Sequence, residues 1–295
     1  MKKAKLQSIP IPAFKDKSVE FDVLYDDYFG SPVQGNKWRK LYGTLQLFPT
    51  SCKENLLSFG GAYSNHAFAI SYAASQLGIE LALIIRGERP ENLSPTLKDC
   101  ERFGANLIFV SRDEYTKLRN LSFEALSDLY PKSFVVPEGG NFELGELGFE
   151  EFAEIDEHYT HIATALGTGT SARGILKFTK SSEILIYPAL KGLKNEFEGV
   201  DRGRWRDIAH EGGYAKVNDE LLEFALDFYT KYKVPLDPVY TSKAMKALFS
   251  DVENGIIPSG SKLAFYHTGG IQGIRGYEKW QKAFKDLGCN AMNFE

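Results

Sequence analysis

Cysteine is scarce. The three residues, Cys52, Cys100 and Cys289, are odd in number, far apart and outside any C-x-x-C pattern, which speaks against a disulfide framework or a zinc site and fits reduced thiols in a cytosol. Histidine is scarce too: of the five, only His158 and His161 stand close together, and they lack a third partner, so no metal is expected. Nowhere does an apolar run approach the roughly 18 residues that a membrane span needs. The opening MKKAKLQSIPIPAF has two lysines but no signal-like core behind them, because Gln7, Ser8 and two prolines interrupt it. A formal net charge of -4 gives no general attraction to nucleic acid or to an anionic membrane surface. The expectation is a cytoplasmic protein without membrane or nucleic-acid partners.

What the sequence has is the composition of an ordinary folded chain, 43% hydrophobic and 25% charged over 295 residues, enough for one large domain or two interleaved ones. Short apolar runs alternate with amphipathic segments. The pattern predicts strands at Asn55–Phe59, Leu81–Arg86, Asn106–Val110, Ser133–Pro137, His161–Leu166, Glu183–Tyr187 and Lys262–Tyr266. Helical patterns lie at Ser64–Gln76, Leu93–Phe103, Gly145–Glu157, Thr170–Thr179, Asn218–Tyr232 and Lys243–Asn254. Strands that alternate with helices imply parallel sheets covered on both faces, an α/β class.

Glycine pairs punctuate the strand ends in FGGAYSN, PEGGN, LGTGTS and HTGG. Ligands of open α/β sheets bind beyond the carboxyl ends of strands, so these loops are the first place to look for chemistry. In LGTGTSARG, Gly167 and Gly169 let backbone N–H groups converge, and Thr168, Thr170 and Ser171 add hydroxyls at a helix N-terminus. That suits a phosphate; the bland alternative is a capped strand-to-helix turn. A P-loop would end in Gly-Lys-Ser/Thr, whereas this one continues Ala172-Arg173-Gly174. A dinucleotide site would want an acidic residue at the end of the next strand, which here reads Tyr187-Pro188-Ala189.

Two further segments carry candidates. In GNKWRKL, Lys37 stands beside Trp38 ahead of a helical pattern; a lysine against apolar groups loses hydration of its charged form and becomes a free amine able to condense with an aldehyde. A surface lysine at a helix start is the plain alternative. Ser64-Asn65-His66 opens a helix directly after FGGAY and offers N–H groups and a hydroxyl to a small anion such as an amino-acid carboxylate, or else is a simple N-cap.

Taken in order, GNKWRKL, FGGAYSNH, PEGGN, GTGTSARG, GGYAK, DPVYTSKAM and HTGG resemble the D-cysteine desulfhydrase and 1-aminocyclopropane-1-carboxylate deaminase family, from about residue 20 to residue 275. The resemblance implies pyridoxal 5'-phosphate as cofactor and a tryptophan synthase β-like fold: two three-layer α/β domains with mostly parallel sheets and the cofactor in the cleft between them. It implies a large cofactor domain from residues 1-39 and 149-295, and a small α/β domain from residues 40-148. Lys37 would be the Schiff-base lysine and the base at Cα. Asn65 would meet the phenolic oxygen, and Gly167, Thr168, Gly169, Thr170 and Ser171 the phosphate. Ser64 would touch the substrate carboxylate, with Asn65, His66 and Thr268 also lining the substrate, and Tyr214 and Tyr240 would flank cofactor and substrate. Members are commonly homodimers.

Within that family the deaminase pattern has Glu after DPVY and Leu in the HxGG loop, whereas the desulfhydrase pattern has Ser or Thr at both; here stand Thr241 and Thr268. Thr241 would face the pyridine nitrogen, where a neutral hydroxyl stabilises the protonated ring less than a carboxylate would. The expected reaction is α,β-elimination from a small amino acid, D-cysteine first, with cyclopropane ring opening as the alternative and a cofactor-binding protein of little activity as the reading from another class. Two departures from the family pattern are a shortened segment between Tyr187 and Tyr214 and the acidic Tyr25-Asp26-Asp27.

Overall fold

The computed structural model describes residues 4–26, 32–213 and 216–289. Ten strands are present among them: β1 (Lys5–Ser8), β2 (Glu20–Tyr25), β3 (Asn55–Gly60), β4 (Leu81–Arg86), β5 (Asn106–Val110), β6 (Ser133–Val136), β7 (His161–Leu166), β8 (Glu183–Pro188), β9 (Gly203–Trp205) and β10 (Lys262–His267). They form a six-stranded sheet in the order β1-β2-β10-β7-β8-β9 and a four-stranded sheet in the order β5-β4-β3-β6. Every pairing is parallel except β1 with β2. The chain divides into two compact units, one of residues 1–36 and 149–295 and one of residues 37–148.

In the first unit, strand periodicity sorts the core. Ala163 and Ala165 of β7, Leu185 and Tyr187 of β8, and Leu263 and Phe265 of β10 pack on one face. Their neighbours Ile162, Leu166, Ile184, Ile186, Ala264 and Tyr266 pack on the other. Both faces are therefore dry, which is why these strands read as unbroken apolar runs. In the second unit Leu57, Phe59, Ile84 and Val135 share one face with Tyr115 and Leu126 from the helices. Four helices of this unit start the same way, with a serine hydroxyl accepting an N–H three residues on: Ser64 from Ala67, Ser94 from Leu97, Ser111 from Glu114 and Ser122 from Ala125.

All seven strands expected from the sequence are present, each within one residue at its ends. The expected helix at Gly145–Glu157 is not continuous: a short helix at Phe152–Ile155 is flanked by 3₁₀ turns. A physical reason lies at Gly148, where a Cβ would fall 2.1 Å from the Arg39 carbonyl oxygen while the Arg39 guanidinium donates back to the Gly148 carbonyl at 3.0 Å. Close backbone approach there takes precedence over helical periodicity. Strands β1 and β9 escape a local reading because they are short, and β2 because it is defined by its partners; it pairs in register with β10, from Glu20 against Lys262 to Tyr25 against His267. No helix of the described residues is long and apolar enough to cross a membrane, and all three cysteines are free thiols.

Candidate active site

In the first unit, the glycine-rich loop leaves the carboxyl end of β7 and enters the helix Thr170–Phe178. Gly169 sits at the helix N-cap with φ +83, a left-handed backbone that glycine adopts without steric cost. The first bond of this turn runs from Arg173 N to Gly169 O, and helix geometry leaves the N–H groups before it without an i−4 carbonyl. Thr168 Oγ1 and Thr170 Oγ1 lie 3.3 Å apart at the same turn. The Arg173 guanidinium holds both oxygens of Glu196 at 2.9 and 2.8 Å, and a Cβ at Gly169 would strike that carboxylate, so the segment after β8 packs directly on the loop. A left-handed glycine, neighbouring hydroxyls and a helix N-terminus fit a phosphate dianion.

Around this loop the residues just before Lys37 are held in place. Asn36 Nδ2 donates to Ser171 Oγ at 2.7 Å in a buried bond, and Asn36 N donates to Thr268 O at 3.3 Å. Gly35, at φ +66, presses its α-carbon against the Thr268–Gly269 peptide: a Cβ would lie 2.3 Å from three of its atoms. Gly167 meets the Tyr240 ring in the same manner, at 2.9 Å. His267 ties the HTGG loop to the residues just before DPVY, donating from Nε2 to Pro235 O at 2.9 Å and accepting from Gly269 N at Nδ1, 3.2 Å. Burial keeps its pKa below the ordinary imidazole range, as this neutral donor-and-acceptor pattern requires.

Thr241, buried completely, opens the helix Thr241–Glu253. Its hydroxyl donates to Asp237 Oδ1 at 2.7 Å and accepts from Asp237 N at 2.7 Å. The same carboxylate caps the helix, taking N–H bonds from Val239, Tyr240 and Thr241. The neutral hydroxyl of the sequence analysis is thus tied to a buried carboxylate. Tyr214 and Asp27 lie outside the described residues, but the loop leading into Tyr214 is anchored: Lys243 Nζ, buried, donates to Gly213 O at 2.8 Å and His210 O at 3.3 Å.

In the second unit, Lys37 is half-buried at the first position of the helix Lys37–Leu47. Trp38 beside it packs edge-on against Tyr72. Ser64 caps the helix Asn65–Leu77 by accepting from Ala67 N at 3.1 Å, which leaves its own hydroxyl proton to donate elsewhere. Asn65 is the first residue of that helix.

His66, buried, can be assigned a tautomer. Ser58 on β3 lies 2.7 Å from Val136 O and 2.9 Å from His66 Nε2. A carbonyl only accepts, so the single Ser58 proton goes to Val136 and the proton of the second bond belongs to His66 Nε2. Nδ1 is then a bare acceptor, buried without a hydrogen-bond partner. Burial, then the positive charges of Lys40 and Lys37, push the His66 pKa down to about 3 and keep the ring neutral.

Residues 10–269 match the family model described as pyridoxal-phosphate dependent enzyme. The chain belongs to that family. Within it, the chain is 30% identical over 295 aligned positions to the bifunctional D-cysteine desulfhydrase/1-aminocyclopropane-1-carboxylate deaminase, mitochondrial, of Arabidopsis thaliana, covering 86% of this chain and 72% of the relative. It is 28% identical to a putative 1-aminocyclopropane-1-carboxylate deaminase of Pyrococcus furiosus, covering 85% of each. A solved structure described as an ACC deaminase homologue superposes with a TM-score of 0.75 over 96% of this chain and 94% of that one, at 24% identity. The protein is therefore a pyridoxal-phosphate enzyme of the deaminase and desulfhydrase family, with the tryptophan synthase β-like fold.

Three residues within these motifs have roles that only the structure shows: Asn36, which holds Ser171; Asp237, which holds Thr241; and Gly35, which meets the Thr268–Gly269 peptide. The signal was present in GNK and DPVY, but a partner 135 residues away has no local signature. Ser58, which sets the His66 tautomer, had no signal at all, being one small polar residue inside a strand.

Proposed function

We propose that this enzyme carries out α,β-elimination on a small amino acid, D-cysteine to pyruvate, ammonia and sulfide, with Lys37 as the amine that carries the cofactor. The observation that supports this branch is a pair of buried threonines, Thr241 and Thr268, at the two positions where the deaminase pattern has Glu and Leu. When bound, pyridoxal phosphate supplies an aldehyde for condensation with amines and a conjugated ring that accepts the electron pair left at Cα.

On this reading Gly167, Thr168, Gly169, Thr170 and Ser171 hold the phosphate by backbone N–H groups and hydroxyls. Ser64 donates its remaining proton to the substrate carboxylate, with the Asn65–His66 helix start and Thr268 beside the same substrate; Asn65 also donates to the cofactor's phenolic oxygen. Lys37 Nζ takes the Cα proton. The Cβ–S bond then breaks, and Tyr240 or Tyr214 gives a proton to the departing thiolate. The reading includes a homodimer and a reducing cytosol, the latter in keeping with three widely separated free thiols.

A second reading, ring opening of 1-aminocyclopropane-1-carboxylate, is favoured by the names of the relatives, one of which carries both activities. Assay of the purified holoenzyme against D-cysteine, L-cysteine and 1-aminocyclopropane-1-carboxylate separates the two. Sulfide with pyruvate from D-cysteine is expected, and α-ketobutyrate as the only product would move the assignment to the second reading. Lys37→Ala should lose both turnover and the label that borohydride reduction fixes on that residue; full activity in the variant would end the scheme.

A further inference from the structure

The hydroxyl of Thr241 has one proton and two lone pairs. Asp237 Oδ1, 2.7 Å away, can only accept, so it takes the proton. Asp237 N, also 2.7 Å away, can only donate, so it takes a lone pair. One lone pair is left, and any further partner of Thr241 Oγ1 must bring its own proton. A plain helix cap would not require this: Asp237 already accepts three backbone N–H groups at the helix start, and the two bonds to the hydroxyl are additional. Both residues are buried, Asp237 at 1% and Thr241 at 0% exposure, so the hydroxyl has no solvent in which to turn.

We infer that Asp237 is a positioning residue which fixes the Thr241 hydroxyl as a hydrogen-bond acceptor, so that the cofactor's ring nitrogen meets it in the protonated form. The inference rests on the proposed placement of Thr241 at that nitrogen. The proton comes from water when the cofactor binds, and the Asp237 carboxylate, one hydroxyl away, is its counter-charge. A threonine in this setting does the work that a carboxylate does in the deaminase pattern, passing on a negative charge held one bond further back. The weaker electron sink expected for a lone hydroxyl is thereby replaced, and the choice between elimination and ring opening rests on the branch pattern instead of the charge of the ring.

The test is the ¹⁵N resonance of holoenzyme reconstituted with ring-¹⁵N pyridoxal phosphate, where protonated and bare pyridine nitrogens fall in well-separated ranges. The wild type is expected in the protonated range. Thr241→Val, which keeps the shape and removes the hydroxyl, and Asp237→Asn, which removes the charge, are each expected to shift the signal to the bare range, whereas Thr241→Ser keeps it. A wild-type signal in the bare range, or a protonated signal that persists in Thr241→Val, overturns the inference, and the wild-type spectrum decides even if Asp237→Asn does not fold. Borohydride reduction and peptide mass spectrometry on the same samples separate the two levels: no label at Lys37 means that the cofactor placement itself fails, while a labelled Lys37 with a bare ring nitrogen sinks only the role of Asp237.

Discussion

Asn36 and Ser171 are joined by a buried 2.7 Å hydrogen bond from amide to hydroxyl, across 135 residues of chain. The bond ties the residue before Lys37 to the first helical turn after the glycine-rich loop. Asn36→Ala should weaken pyridoxal-phosphate affinity by about 1–1.5 kcal/mol, or roughly five- to tenfold, since a buried bond is lost and the Ser171 hydroxyl is left without its donor. Titration of the apoprotein with cofactor checks this, and an unchanged affinity would show the bond to be incidental.

Gly35 should tolerate no side chain. A Cβ there would sit 2.3 Å from the Thr268–Gly269 peptide, at a φ of +66, and the obstacle is backbone that cannot rotate away. Gly78 is the control, with φ +65 and open space around it. Gly78→Ala should cost about 1 kcal/mol from backbone strain alone, and Gly35→Ala clearly more, on the order of 3 kcal/mol or above, with loss of cofactor binding. Denaturant unfolding of the two variants side by side measures the difference.

His66 makes the protein sensitive to acid. Above about pH 6.5 the ring is neutral in both folded and unfolded chains and contributes no pH dependence. Below that the unfolded chain takes up a proton which the folded ring, with its pKa near 3, refuses. Stability is therefore lost as the pH falls from 6.5 towards 3, at up to about 1.4 kcal/mol per pH unit from this group. His66→Gln should show a shallower fall over that window. Identical pH slopes for wild type and variant would show that His66 does not resist protonation in the fold.

A second buried network sets stability away from the site. Asp251, at 2% exposure, accepts from the Tyr187 hydroxyl at 2.8 Å and from Arg206 at 2.8 and 2.6 Å. Asp251→Ala should cost about 3–5 kcal/mol, because it strands a guanidinium and a buried phenol. Tyr187→Phe removes one bond only and should cost about 1 kcal/mol. Equal losses from the two would show that the ion pair contributes little.

The parallel α/β class, seven of the strands and the pyridoxal-phosphate family were legible in the sequence, because strand periodicity, glycine pairs at strand ends and ordered motifs are all local signals. So was the loop that fits a phosphate, since its glycines and hydroxyls stand next to one another. The broken helix near Gly148 was not legible, nor were the strands β1, β2 and β9, which depend on what lies across from them.

What the sequence by itself determined is the set of chemical groups and their order: one lysine after Gly-Asn, a glycine-threonine loop, a threonine after DPVY, a histidine after Ser-Asn. Only the tertiary structure decided the direction of each proton: that Thr241 gives its proton to Asp237, that His66 carries its proton on Nε2, and that Asn36 donates to Ser171. The physical reason is that a hydroxyl, an imidazole or an amide can serve in more than one hydrogen-bonding role. The role is fixed when burial removes water and leaves a partner that can only give or only take.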